Sequence, residues 1–483
     1  MGTTTTTTTT THILVIPYPA QGHMIPLLDL IHHLATTAPT TLTFTVVTTP
    51  KNLPILSPLL SSAPNVTPLV LPFPPSPGVP AGAENTKDLP PASFRQLIPA
   101  LSRLEVPLGH WFESHPSPPV AIISDMFVGW TQRFAAKFGI KRVVFSPSGA
   151  MALSVIYALW RDTPKEEACQ NGVVSFSNLP NCPKYPWCQV SPVYRSYVEG
   201  DADSEKIKEG FRDDMVSWGL VINTFDELER IYLDHLISAL GHNRVWAVGP
   251  IIPPYGLKDR GGSSTVDPDS IMSWLDSCRD NEVVYVSFGT QALLTDDQTA
   301  AVAEALEKSG VRFVWSVRVP AVTHGSGLDA DHNSVFRNGF EDCVRGRGVI
   351  IKGWAPQVSI LRHRAVGTFL THCGWNSILE GLISGVGMLA WPMGADQFTN
   401  ATLLVDELKV GVRVCEGLKT VPDPCELAQI VDRSVNGDIL DREKIGKLHS
   451  SCLEAVKVNG SSTKELVDFV NKLSEMETNG HMK

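Results

Sequence analysis

Val366-Gly-Thr-Phe-Leu-Thr-His-Cys-Gly-Trp-Asn-Ser-Ile-Leu-Glu380 reads as a strand, a glycine turn and the opening of a helix. Residues 366–370 form the mainly apolar run expected of a strand covered on both faces of a parallel sheet. Gly374 allows a tight turn and a close backbone approach, and the helix begins near Asn376. The same alternation fills the chain. In the first half, strands are expected at 13–16, 43–47, 120–124, 142–146, 219–223 and 245–248, with helices at 26–36, 129–138, 150–160 and 226–239. In the second half, strands are expected at 283–288, 313–316, 349–352, 366–370, 388–391 and 410–414, with helices at 296–308, 357–361, 376–383 and 397–408. Apolar strands alternating with helices give an α/β protein with doubly wound parallel sheets.

The pattern restarts in mid-chain, after Pro250-Ile-Ile-Pro-Pro-Tyr-Gly and Gly261-Gly-Ser-Ser-Thr, which is linker composition. The expected division is a disordered Thr-rich tail at 1–11, a domain at 12–250, a linker at 251–268, a second domain at 269–455, and a terminal helix within 456–483 free to pack back on either domain, the first included. Residues 50–91 and 181–192 are rich in Pro and are expected to be long surface excursions without regular elements.

Composition narrows the class of ligand. The chain has 483 residues, 43% hydrophobic and 19% charged, with a net charge of −10. Such a surface repels nucleic acid and anionic lipid, so neither is an expected partner. An anionic small molecule would need local help, and helix N-termini supply it. Nine scattered cysteines with no CxxC pair imply free thiols in a reducing compartment. No apolar run reaches the ~18 residues of a membrane span, and without a basic stretch or a small-residue cleavage site before the first strand no secretory leader is expected. A cytoplasmic protein acting as a monomer is expected.

In open parallel sheets, ligands sit beyond the carboxyl ends of strands, at the point where strand order reverses. The turn at Thr371–Ser377 lies at such an end. The N–H groups of Gly374, Asn376 and Ser377, with His372 beside them, would suit a phosphate. Asn376 or Ser377 acting as a simple helix cap reads equally well. Glu380 shares the helical face of Asn376 and Ser377 and would reach a ribose diol, or lie in solvent. Trp354 follows another strand and would stack on a planar base, or fill the core. Asp396 and Gln397 would bind sugar hydroxyls, or cap a helix. In the first half, Pro19-Ala-Gln-Gly-His23 follows the first strand and Asp125 ends another. A histidine is the natural general base near neutral pH, and a carboxylate behind it fixes its tautomer. Asp125 also reads as a helix cap.

Taken together, Trp354-Ala-Pro-Gln357, Thr371-His-Cys-Gly-Trp-Asn-Ser377, Glu380 and Trp391-Pro-Met-Gly-Ala-Asp-Gln397 resemble the signature box of plant family 1 UDP-dependent glycosyltransferases, with its full 44-residue span. Val286-Ser-Phe-Gly-Thr290 and Pro19-Ala-Gln-Gly-His23 extend the resemblance along the chain. The resemblance implies a GT-B fold, with two Rossmann-like domains facing each other across a cleft, and neither a metal nor another cofactor. It implies that Trp354 stacks on uracil, Ala355 meets its edge, Gln357 and Glu380 hold the ribose, and His372, Gly374, Asn376, Ser377 and Ser287 hold the diphosphate. Trp375, Asp396 and Gln397 would read the sugar, a terminal Gln going with glucose. His23 and Asp125 would be the catalytic base and its partner, and Gly22, Phe127, Ser148 and Met151 would line the acceptor pocket.

The implied activity is inverting transfer of a sugar, glucose first, from a UDP-sugar donor to a hydroxyl or carboxyl of a small plant phenolic or flavonoid. A UDP-xylosyl- or UDP-rhamnosyltransferase, a UDP-sugar epimerase or hydrolase, and an inactive UDP-sugar-binding protein are the alternatives. The departures from the pattern are Gly387, where Pro is usual, Thr290, where Ser is usual, and Met393-Gly-Ala before Asp396. Gly385-Val-Gly387 follows a helix and precedes a strand, the reverse of a dinucleotide fingerprint. Asp267-Pro-Asp269 and Asp201-Ala-Asp203 mimic a metal-binding pair, and the first reads better as a helix cap.

Overall fold

Thr11 opens the first strand, one residue inside the expected tail; residues 1–9 of that tail lie outside the described residues. The computed structural model describes residues 10–38, 42–251, 266–318 and 339–476. These form two compact units, one of residues 10–188, 192–251 and 454–476, the other of 189–191, 266–318 and 339–453. The expected linker at 251–268 falls almost wholly outside the described residues.

The first unit contains β1 (Thr11–Ile16), α1 (Gln21–Thr37), β2 (Leu42–Thr48), β3 (Val66–Val70), β4 (Ala121–Asp125), α2 (Thr131–Lys137), β5 (Lys141–Ser146), α3 (Ala150–Asp162), α4 (Ala202–Met215), β6 (Gly219–Ile222), α5 (Asp226–Leu240) and β7 (Val245–Ala247). Its sheet runs β3-β2-β1-β4-β5-β6-β7, every pairing parallel. Ile13, Val15, Ile123, Val143 and Phe145 are wholly buried, as strands covered by helices on both faces require.

Three expectations are corrected here. Helix α1 begins at Gln21 rather than Pro26, so His23 stands in its first turn. The Ala20 carbonyl closes that turn before the proline, accepting from the N–H groups of His23 at 3.0 Å and Met24 at 2.7 Å. Pro26 then removes only its own helical donor. Residues 50–91 are not structureless, since they hold edge strand β3. Pro68 is tolerated there because an edge strand need not donate along its outer side. Within 181–192, Lys184–Pro186 pairs with Val173–Ser175 as a short antiparallel ribbon.

The second unit contains α6 (Pro268–Asp276), β8 (Val283–Ser287), α7 (Asp296–Ser309), β9 (Arg312–Val317), β10 (Gly348–Lys352), α8 (Gln357–Leu361), β11 (Val366–Thr371), α9 (Trp375–Ile383), β12 (Gly387–Ala390), α10 (Gln397–Ala401), β13 (Gly411–Arg413) and α11 (Pro424–Asn436). Its parallel sheet runs β10-β9-β8-β11-β12-β13. Asp267 caps α6 by accepting from Ser270 N–H at 3.1 Å, and Asp201 caps α4 by accepting from Ser204 N–H at 2.9 Å. Both acidic pairs that mimic a metal motif are therefore helix starts. Gly387 opens β12, where a Cβ would lie 2.6 Å from Leu440 Cδ1; the space a larger residue would need is already filled.

Helix α12 (Ser461–Ser474) belongs to the first unit. Phe469 and Leu473 are wholly buried in that unit's core, and Trp246 donates to Asp468 at 2.7 Å. Residues 477–483 lie outside the described residues.

Candidate active site

Each sheet has one place where strand order reverses. In the first unit the chain leaves β1 toward β2 and β3, then returns to lay β4 on the other side of β1. The connections after β1 and β4 therefore diverge and leave a crevice at their carboxyl ends. His23 enters from the first turn of α1 and Asp125 is the last residue of β4. His23 Nδ1 donates to Asp125 Oδ2 at 2.9 Å, while Phe127 N–H donates to Asp125 Oδ1 at 2.8 Å. Both readings of Asp125 hold at once, one oxygen capping the turn and the other fixing the imidazole. Asp125 is wholly buried and the His23 side chain is 19% exposed, which leaves Nε2 for a proton from outside.

Around this pair the walls are aromatic. The Phe127 ring lies 4.6 Å from the His23 ring and 5.0 Å from Tyr18. Burial, seconded by the charge of Asp125, pushes the Tyr18 phenol up, so Tyr18 stays neutral. Gly22 is exposed beside His23. Ser148 and Met151 follow β5, which is registered against β4. Met151 is 1% exposed and its N–H is committed to Glu229 at 2.8 Å, so it supports the wall instead of presenting surface. A small apolar cleft lies against the same region, lined by Pro17, Pro19, Met24, Thr48, Val128 and Trp130. These residues were not legible as a wall, because they come from three separate segments.

In the second unit the reversal falls between β8 and β11. Ser287 ends β8, and the turn from His372 to Gly374 follows β11. Gly374 is the cap residue of α9 in extended conformation, with no side-chain cap. The cap reading of Asn376 and Ser377 therefore fails: both lie inside the helix, and the first-turn N–H groups stand at its mouth. Such a terminus carries about half a positive charge, suited to an anion.

His372 completes this mouth. A Cβ at Gly289 or Gly374 would lie 2.6 or 2.5 Å from its Nε2, so only glycine at both positions lets the ring sit there. Cys373 holds a left-handed φ of 63°, secured where Asn400 donates to its carbonyl at 3.0 Å. The Cys373 thiol is buried and pushed up to about 12 by desolvation, which removes it as a nucleophile. One turn on, Gln357 donates from Nε2 to Glu380 at 2.7 Å and to Ser377 Oγ at 3.0 Å, and Tyr285 donates to Gln357 Oε1 at 3.2 Å. Tyr285 is a member that sequence reasoning missed, because a strand tyrosine reads as core. Trp354 is half-buried and Ala355 is buried beside it. Trp375 opens α9 and is 3% exposed, so its side chain is buried in the unit. Asp396 makes no side-chain cap on α10. Gln397 Oε1 accepts from Met393 and Gly394 N–H at 2.9 and 3.0 Å, which shapes the loop and turns its amide nitrogen elsewhere.

One reversal point holds a His–Asp pair, and the other holds a helix start suited to an anion. Residues 263–421 match the family model of UDP-glucoronosyl and UDP-glucosyl transferases. The chain is 52% identical over 473 residues to a flavonol 3-O-glucosyltransferase, UGT89B1, of Arabidopsis thaliana, with 97% of each chain covered. The chain belongs to the plant family 1 UDP-dependent glycosyltransferases. It is also 54% identical over 468 residues to UDP-glycosyltransferase 89B2 of Stevia rebaudiana, covering 96% of this chain and 98% of that one. The crystal structure of Arabidopsis thaliana UGT89C1 complexed with UDP-L-rhamnose matches with a TM-score of 0.79 at 40% identity, over 97% of this chain and 100% of that chain. The same protein has been solved with quercetin. The fold of this glycosyltransferase is GT-B.

Among its described residues, no group of three or more His, Cys, Asp and Glu could hold a metal ion, and no helix is long and apolar enough to cross a membrane. Desolvation lowers His372 to about 4, below the ordinary 6.5 of a histidine. A folded-state value below the unfolded one means the contribution is present above pH 6.5 and fades as pH falls toward 4. His372→Gln in this glycosyltransferase should therefore lose less stability than the wild type between pH 6.5 and 4, as read by urea unfolding across that window. Parallel slopes for the two proteins would contradict a neutral buried ring.

Proposed function

We propose that this glycosyltransferase moves glucose from UDP-glucose to a hydroxyl of a flavonoid or related phenolic, with inversion at the anomeric carbon. The observation that carries the reading is the His23–Asp125 pair at 2.9 Å, one nitrogen fixed and the other left for a substrate proton. His23 Nε2 takes the proton of the acceptor hydroxyl. The oxygen attacks C1 of the sugar, the bond from C1 to the diphosphate oxygen breaks, and its electron pair leaves with UDP. Asp125 stabilises the imidazolium that forms. The growing charge on the diphosphate is met by the first-turn N–H groups of α9, by His372 and by Ser287. Gln357 and Glu380 would hold the ribose, Trp354 and Ala355 the uracil, and Asp396, Gln397 and the backbone of Trp375 the sugar.

Aromatic walls of Phe127 and Tyr18 suit a planar phenolic. Glucose is favoured over rhamnose because the chain is 52% identical to a glucosyltransferase and 40% identical to the protein solved with UDP-L-rhamnose. All nine cysteines are free thiols, which supports a cytoplasmic home. A monomer is proposed, since no candidate site residue needs a second copy.

The test is a matrix of UDP-glucose, UDP-xylose, UDP-galactose and UDP-L-rhamnose against quercetin and simple phenols. Products are read by mass and anomeric configuration. The expected result is a β-glucoside of quercetin, with kcat/KM for UDP-glucose at least about tenfold above UDP-L-rhamnose, or about 1.4 kcal/mol. Preference for UDP-rhamnose would reassign the donor. Hydrolysis or epimerisation without a glycoside product would overturn transfer itself.

A further inference from the structure

Behind Asp125 lies a buried ion pair that the proposed chemistry does not use. Arg142 on β5 and Asp214 on α4 are both without side-chain exposure, and Arg142 Nη1 lies 2.8 Å from Asp214 Oδ1. Neither the terminal guanidinium nitrogens nor the Asp214 oxygens are otherwise hydrogen-bonded, and the buried Tyr157 hydroxyl beside them has no partner. Removing two charges from water this completely usually costs more than their attraction returns, so apolar residues would serve the core as well.

The Arg142 Nε–H, however, starts a directed chain. It donates to Ser124 Oγ at 2.8 Å. Thr131 Oγ1 donates to the Val128 carbonyl at 2.7 Å, so at the 2.9 Å contact between the two hydroxyls it is Ser124 that donates to Thr131. Each bond polarises the next. The chain thus runs from a buried cation through the last turn of β4 to the carbonyl that closes residues 125–128. That turn carries Asp125, which holds His23, and Phe127, whose ring packs on His23.

We propose that Arg142 is a positioning residue for the His23–Asp125 pair, anchoring through Ser124 and Thr131 the turn that presents Asp125 and Phe127. The proposal rests on His23 being the base. The groups that bear on this cluster are Tyr18 in the connection after β1, His23 at the start of α1, Asp125 on β4, Arg142 on β5, Tyr157 on α3, and Asp213 and Asp214 on α4; Asp213 is itself paired outward with Arg133. Burial drives Asp214 toward its neutral form, Arg142 opposes this, and the nearby charge of Asp125 adds to it. Removing the pair takes a cation away from the buried cluster behind Asp125.

Three variants separate the roles. Ser124→Ala breaks the chain and keeps the cation; kcat should fall about five- to tenfold, with KM for the UDP-sugar within twofold. Arg142→Met together with Asp214→Leu removes the pair as a unit; kcat should fall at least tenfold, and the acid limb of the kcat/KM profile should move to higher pH by about half a unit. Arg142→Lys keeps the charge, so its acid limb should stay in place. The proposal is overturned if Ser124→Ala has wild-type kcat, or if the double variant, folded and binding UDP normally, keeps the wild-type acid limb. If the double variant does not fold, the kcat of Ser124→Ala decides alone. His23→Ala in the same assay guards the underlying reading: full transfer by that variant would remove His23 as the base, and this proposal with it.

Discussion

His23→Ala is expected to lower kcat by roughly 10²–10⁴-fold, the range attributed to a positioned general base, or about 3–5 kcal/mol of transition-state stabilisation. The loss should fall on kcat. The ring lies at the reversal point of the first sheet, and the residues proposed to hold UDP all belong to the second unit. Alanine also leaves Asp125 buried with one of its two protein donors gone, since only Phe127 N–H remains. Some loss of stability will accompany the loss of rate, so the variant is best assayed well below its melting temperature. Steady-state kinetics with saturating UDP-glucose read the effect, and a kcat within threefold of wild type would contradict it.

Gly374→Ala is expected to weaken UDP binding by about 30- to 150-fold, or roughly 2–3 kcal/mol, the scale of one or two charge-assisted hydrogen bonds lost. The backbone at Gly374, with φ of −61°, suits alanine well enough, so backbone strain is not the cause. The cause is the 2.5 Å approach of the new Cβ to His372 Nε2. That separation is shorter than real Cβ contacts allow, so the ring or the turn that carries it must shift. Either His372 is expelled or the helix mouth is pushed out of register, and each loses the diphosphate. Calorimetric titration with UDP measures this. A dissociation constant within fivefold of wild type would mean that the phosphates bind elsewhere.

Much of the fold was legible because its central strands are buried on both faces and carry little but apolar side chains. Segments such as 13–16, 120–124 and 283–288 announce themselves without reference to anything distant. Edge strand β3 did not, since Val66-Thr-Pro-Leu-Val70 exposes part of its surface and contains a proline that only an edge accepts. Helix α4 was missed for the opposite reason: Ala-Asp-Ser-Glu-Lys-Ile-Lys-Glu is so polar that its buried stripe of Ile207, Phe211 and Asp214 is thin. At the site, residues on one turn, such as His372 to Ser377, could be read together. The hub of Gln357, Tyr285, Ser377 and Glu380 could not, because it joins three segments through side-chain contacts that only tertiary structure creates. The Arg142–Asp214 pair was equally invisible, its two members lying 72 positions apart with no motif around either.

The division of labour between the two reversal points is tested most directly by titrating UDP into His23→Ala and Gly374→Ala side by side. The first should bind as tightly as the wild type while failing to turn over, and the second should lose its grip on the nucleotide. Equal loss of binding in both, or tight binding by Gly374→Ala, would show that the diphosphate does not rest on the start of α9.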